Sequence, residues 1–111
     1  MTERIEKSLY DILLAIQEIE SFRQDEYPTL EVFRANVLVK RAAERNLEII
    51  GEAVNRILKE DPDFPITDAY RIIGLRNQII HGYDSISDEN VFSVIVNHLP
   101  LLKTEVEQLL R

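Results

Sequence analysis

Apolar residues recur along this chain at spacings of three, four and seven, and no stretch shows the convincing two-residue alternation of a strand. The first helical stretch opens at Thr2, a residue type suited to capping, and carries Ile5, Leu9, Ile12, Leu13, Ile16 and Ile19 on one stripe to about Phe22. Pro28 disfavours helix at Tyr27, so residues 24–28 are expected to break it. A longer pattern then runs from a cap at Thr29 to about Leu58, with Val32, Val39, Ala42, Ala43, Leu47, Ile50, Ala53, Val54 and Ile57 inward. Gly51 sits in its middle at a cost of up to ~1 kcal/mol against alanine, which points to close helix packing there. Prolines 62 and 65 end that helix, and Asp68 is expected to cap a third, which Gly82 stops. Ser87 or Asp88 opens a fourth through Val91, Phe92, Ile95, Val96, Leu99, Leu102, Val106 and Leu109, and Pro100 should kink or split it near His98. These elements predict one all-α domain over residues 1–111, an antiparallel bundle of four to five helices.

At 111 residues and 45% hydrophobic, the chain is long enough for a real core. Cysteine is absent, which excludes disulfides and thiolate metal sites and fits a reducing compartment. The N-terminus mixes charged with apolar residues and has no signal-type apolar run, and nothing approaches the ~20 apolar residues of a membrane span. A soluble, cytoplasmic protein with no membrane association is expected. The net charge of −7 argues against autonomous capture of nucleic acid by phosphate neutralisation. The charge is uneven, however: residues 34–76 hold eight basic and seven acidic side chains, and the remainder five basic and thirteen acidic. A local basic groove within an acidic molecule is compatible with that distribution.

Candidate chemistry concentrates in the third helix. On a wheel of about 100° per residue with Ile72 at zero, Ile73, Leu75, Ile79 and Ile80 form an apolar arc, and Arg76 falls near its centre at about 40°. An arginine so placed must find an anion, accept a costly burial or line a cleft. His81 follows, of the side-chain type that titrates nearest neutral pH, and then Tyr83. A plainer account fits the same residues: Arg76 as ion-pair partner of Glu44, Glu48 or Glu52, His81 as a helix cap, and Tyr83 as core with a wet hydroxyl. His81 lies at about 180°, away from Arg76, so one straight helix does not unite them. Either the helix tightens or ends at residues 81–82, or the same helix of a second copy completes the site. Gly74, Asn77, Gln78 and His81 form a polar far face on which a second copy could pack, which favours a symmetric homodimer.

Arg76, four residues, His81, one residue and Tyr83 is the RX4HXY form of the HEPN-superfamily signature. With residues 45–53 (RNLEIIGEA) on the second helix and residues 73–77 (IGLRN) leading into the motif, the chain resembles a HepT-like ribonuclease toxin over nearly its full length. The resemblance implies an all-helical homodimer whose motif residues line a cleft between subunits, and metal-independent cleavage of an RNA substrate without a cofactor. It makes Arg76 and His81 the catalytic pair, one holding the phosphate and the other transferring a proton. Asn77 is carried only as a polar neighbour that could orient the imidazole. It also implies a minimal nucleotidyltransferase as antitoxin, which neutralises the toxin by adding AMP groups to Tyr83.

Two other functions stay open on the residues alone. One is a non-catalytic helical module that binds a nucleotide or positions substrate for such a transferase, which the acidic charge favours. The other is a dimeric interaction protein in which Arg76 is a structural ion-pair residue. His98, beside Pro100, reads as a half-exposed cap, and two histidines among scattered acids show no metal-ligand spacing.

Overall fold

The computed structural model describes residues 1–26, 29–82 and 86–111, with the backbone alone for 22–26. Among these residues there are six α-helices and no strand: α1 (Glu3–Glu26), α2 (Leu30–Ala35), α3 (Val37–Glu60), α4 (Ala69–His81), α5 (Asp88–Ser93) and α6 (Leu99–Leu109), with a π-helical turn (Val94–His98) joining α5 to α6. The expected all-α bundle is the observed architecture. Long α3 lies at its centre, with α1 and α4 packed on it and α6 packed on α1. Ile12, Ile16, Ile50, Val54 and Ile57 are fully buried where these helices meet. No helix among the described residues is long and apolar enough to cross a membrane.

Caps explain most helix starts. Thr2 Oγ1 accepts from the Ile5 N–H at 3.2 Å, Thr29 Oγ1 from Val32 at 3.2 Å and Ser87 Oγ from Asn90 at 3.1 Å. Helix α1 runs to Glu26, beyond the Phe22 expected, because Pro28 restricts only the residue before it and residues 22–26 hold no other breaker. Tyr27 and Pro28 lie outside the described residues.

The single helix expected over residues 29–58 is two. Asn36 ends α2 with its own N–H, bonded to the carbonyls of Val32 and Phe33, and starts α3 with its side chain, which accepts from the Val39 N–H at 3.1 Å. Asparagine competes with helix by such local bonds, and no glycine or proline marks the site. The break re-aims α2, so Phe33 is buried against Phe92 on α5 while Val32, expected inward, is 40% exposed. Leu13 and Ala42, also expected inward, are half-buried.

Pro100 disturbs the last helix as expected, and the π turn is the form the disturbance takes. Proline has no N–H for the Val96 carbonyl and its ring crowds that carbonyl. The backbone widens instead, and the Leu99 N–H bonds to the carbonyl of Val94, five residues back. His98, at the end of this turn, is half-buried and stands at the N-cap position of α6, but its side chain makes no capping bond there. Its Nδ1 lies 3.1 Å from Asp68 Oδ2. Asp68 therefore makes no capping bond to α4, contrary to expectation, and takes a left-handed backbone (φ 59°) that aspartate tolerates. Next to it, Thr67 donates its N–H (3.2 Å) and hydroxyl (2.6 Å) to Glu105 Oε2 on α6. The loop that aims α4 is thus latched twice to the C-terminal rod.

Among the described residues one carboxylate is buried in the bundle. Glu44 is 4% exposed and pairs with Arg41 at 3.0 Å, close to the Lys40–Asp88 pair of α3 and α5. Burial pushes its carboxyl above the ordinary glutamate range; Arg41 and then Lys40 pull partly back, and Asp88 pushes up again. A carboxyl with a raised folded-state pKa binds its proton more tightly folded than unfolded, so its contribution to stability falls as pH rises through the interval above the ordinary value. Glu44→Gln removes that dependence. Urea denaturation at about pH 4 and about pH 7 should show the variant gaining on the wild type at the higher pH. A constant difference, or the opposite trend, contradicts this account.

Candidate functional site

Helix α4 approaches α3 most closely at Gly51. A Cβ placed there would overlap the Cβ of Arg76, lie 2.8 Å from its Cγ and sit 3.3 Å from the carbonyl oxygen of Ile72. The close packing read from Gly51 is therefore present, and its counterpart is Arg76 itself. The missing side chain at 51 is what lets the arginine stem cross α3.

The guanidinium has few partners for its five N–H donors. Nη1 donates to Asn77 Oδ1 at 2.9 Å, and Nη2 stands 3.9 Å from Glu52 Oε1. Of the three acids considered, Glu44 pairs with Arg41 and Glu48 with Arg45, leaving Glu52. A charge-assisted hydrogen bond needs about 2.7–2.9 Å, so the Glu52 contact is a loose ion pair and not a closed one. Nε is buried with no acceptor among the described residues. A buried unsatisfied donor costs about 1–3 kcal/mol, so this guanidinium retains a demand for oxygen that the fold does not meet.

His81 is the last residue of α4 and is exposed. The helix does not tighten before it, so His81 lies about 140° around the helix from Arg76 and about 7.5 Å along it. Among the described residues no hydrogen bond or ion pair joins the two. Asn77 turns its amide oxygen to Arg76 Nη1, and among the described residues no hydrogen bond joins Asn77 to His81. Gly82 ends α4 where expected, through its N–H to the Gln78 carbonyl at 2.9 Å, but with φ −130° and not the left-handed form. Tyr83 lies outside the described residues. Gly74, Asn77, Gln78 and His81 are all exposed, and a Cβ on Gly74 would meet nothing within 4 Å.

The basic groove compatible with the charge distribution is largely neutralised. Arg34 meets Glu89 and Asp88, Lys40 meets Asp88 at 3.4 Å, and Arg56 meets Asp11 at 3.4 Å. Among the described residues, no three His, Asp or Glu side chains converge as a cation site. Glu52 was one of three acids that the sequence offered to Arg76, and it is the one that faces it; the packing of Gly51 against the same arginine was not read from the sequence, although the mid-helix glycine was the available signal.

A protein-family model described as ribonuclease HepT-like matches residues 12–109. The chain is 33% identical over 108 residues to "Putative RNase MJ0125" of Methanocaldococcus jannaschii, covering 96% of this chain and 91% of the relative. It is 35% identical over 102 residues to "Putative RNase MJ1380" of the same organism, covering 89% and 90%. A relative from Caldanaerobacter subterraneus, "Putative RNase TTE0752", is 31% identical over 84 residues, covering 75% of each chain. No solved structure matches the chain at a significant level.

The two helical glycines should respond oppositely to alanine. Gly51→Ala should destabilise by roughly 1–3 kcal/mol, because the methyl collides with Arg76 in a packed interface. Gly74→Ala, in open space on a helix, should stabilise by up to ~1 kcal/mol. Denaturant midpoints of the two variants check this, and effects of one sign would contradict the packing described.

Proposed function

The chain belongs to the HepT-like ribonuclease family, and from that membership we propose that it is an RNA endonuclease, the toxin of a toxin–antitoxin pair. The observation that supports this reading best is the Arg76 guanidinium, held over Gly51 with a buried Nε that lacks an acceptor. A phosphodiester supplies the anionic oxygens that such a group lacks, and two of them match an arginine fork. In this reading Arg76 holds the phosphate and stabilises the charge that develops on its non-bridging oxygens. His81 transfers a proton at the ribose 2′-hydroxyl or at the leaving oxygen. Asn77 supports Arg76 by accepting from Nη1. No metal ion takes part.

The separation of Arg76 and His81 on α4 leads to the second element of the proposal. The site is built by a homodimer, with Arg76 of one copy facing His81 of the other across the exposed face of Gly74 and Gln78. The paired cations and the charge of −7 favour a second reading, a non-catalytic module that acts beside a nucleotidyltransferase; an RNA-cleavage assay separates the two.

Arg76→Ala and His81→Ala should each reduce cleavage by about 10²-fold or more, while EDTA leaves the wild type active. Mixing the two inactive variants tests the shared site. A composite dimer regenerates one intact Arg76–His81 pairing in each heterodimer, so activity should return to about one quarter of wild type after random exchange. No recovery despite exchange, or inhibition by the chelator, would refute the mechanism.

Tyr83 is proposed as the acceptor of AMP from a partner nucleotidyltransferase that uses ATP and releases pyrophosphate. Each AMP adds about one negative charge beside the phosphate site and repels RNA. Tyr83→Phe should stay folded and toxic yet escape silencing by the partner with ATP. Mass spectrometry should place the adduct on Tyr83; an adduct on Tyr10, Tyr27 or Tyr70, or a silenced Tyr83→Phe variant, would overturn the assignment.

A further inference from the structure

A protein of net charge −7 whose substrate is a polyanion needs cations that its own acids do not occupy. Among the described residues, Arg4, Lys59, Arg71 and Arg111 are the basic side chains with neither an ion pair nor a hydrogen bond. Two of these four rim the same cavity. It measures about 620 Å³, stands half open to solvent, and lies between the start of α1 and the end of α3.

The lining favours an anion. Asp11 is shared by Lys7, at 3.0 and 3.1 Å, and by Arg56 at 3.4 Å, so this triad leaves one positive charge over. With Glu60 as the other carboxylate, the lining holds four cations against two acids, the reverse of the molecule as a whole. Ser8 also lines it; the residue is only 5% exposed, and its hydroxyl has no hydrogen-bond partner among the described residues. Ile5 and Ile57 supply an apolar floor. Lys59 has a simple alternative reason for its place, since cations suit the last turn of a helix. Arg4 has none. It occupies the first turn of a 24-residue helix, where the macrodipole disfavours a cation.

We propose that this cavity is a second phosphate-binding subsite for single-stranded RNA, remote from the motif. Arg4 and Lys59 take a backbone phosphate, the Ser8 hydroxyl donates to it, and the apolar floor meets the adjoining ribose or base. Lys59 is about 12 Å along the axis of α3 from Gly51, so the cavity and the Arg76 site belong to different turns of one helix. The half-open form suits a polymer passing through. The inference rests on the ribonuclease reading only for the identity of the polyanion.

The test uses the full chain carrying His81→Ala, so that RNA survives, and a short fluorescein-labelled single-stranded RNA followed by anisotropy across a salt series. Adding Arg4→Ala with Lys59→Ala should weaken binding about tenfold and lower the salt slope by about 0.7, the value for one phosphate no longer neutralised on a single strand. Both side chains are exposed, so the fold should survive; Arg4→Lys with Lys59→Arg, which keeps the charges, should restore the slope. Arg71→Ala with Arg111→Ala, which removes the same charge elsewhere, should leave slope and affinity near the parent values. Equal losses from the two alanine pairs, or no loss from the first, overturn the inference and leave the ribonuclease reading intact if the wild type cleaves RNA. A wild type that does not cleave, together with the expected loss at Arg4 and Lys59, overturns the ribonuclease reading and supports the subsite. Absence of RNA binding by every form, together with no cleavage by the wild type, overturns both.

Discussion

The closest approach of α3 and α4, at a residue with no side chain, governs how the molecule presents its motif. Any atom beyond hydrogen at position 51 meets the stem of Arg76 or the backbone at Ile72. The distance between the helices, the direction of the guanidinium and the outward face of α4 are therefore one variable. A glycine inside a helix costs up to ~1 kcal/mol, and here the cost is offset by an interface that a larger residue would force apart. The rest of the bundle supports this contact. Helix α1 also packs on α3, and the latches at Thr67 and Asp68 fix where α4 begins.

Periodicity and caps made most of this legible from the sequence. The stripe on α1, the breaks at residues 61–65 and at Gly82, and the caps at Thr2, Thr29 and Ser87 all rest on local chemistry, which one sequence carries. The failures share a cause. Asn36 divides a helix by a side-chain bond that competes only narrowly with continuation, so propensity does not reveal it. Asp68 forgoes its cap because His98, thirty positions later, offers a better partner, and no local pattern announces that pairing. For the candidate site the residues were legible and their company was not. Arg76, Asn77 and His81 stood out by type and spacing, whereas the contact of Arg76 with Gly51, and the choice of Glu52 among three possible acids, depend on the register between two helices.

Charge follows the same division. Counting suggested a basic middle segment, but the count could not show that Arg34, Lys40, Arg41, Arg45 and Arg56 each face an acid. Pairing leaves the bundle with a few isolated cations and one guanidinium whose hydrogen-bonding capacity is mostly unused. Surface pairs of this kind add little stability, typically under about 1 kcal/mol each, so their larger effect is to restrict where a polyanion can settle.

The two latches also carry a consequence for the order of events during synthesis. The loop that orients α4 is held by residues 30 and 38 positions further along the chain. A ribosome emits those positions later, and the loop-closure entropy of such distant contacts is met only once both partners exist. While the chain is still being made, α4 has its helical sequence but not its anchored start. The surface that bears Arg76 and His81 thus acquires its final orientation only after α6 has been translated, which separates the making of this protein from the moment its motif face becomes set.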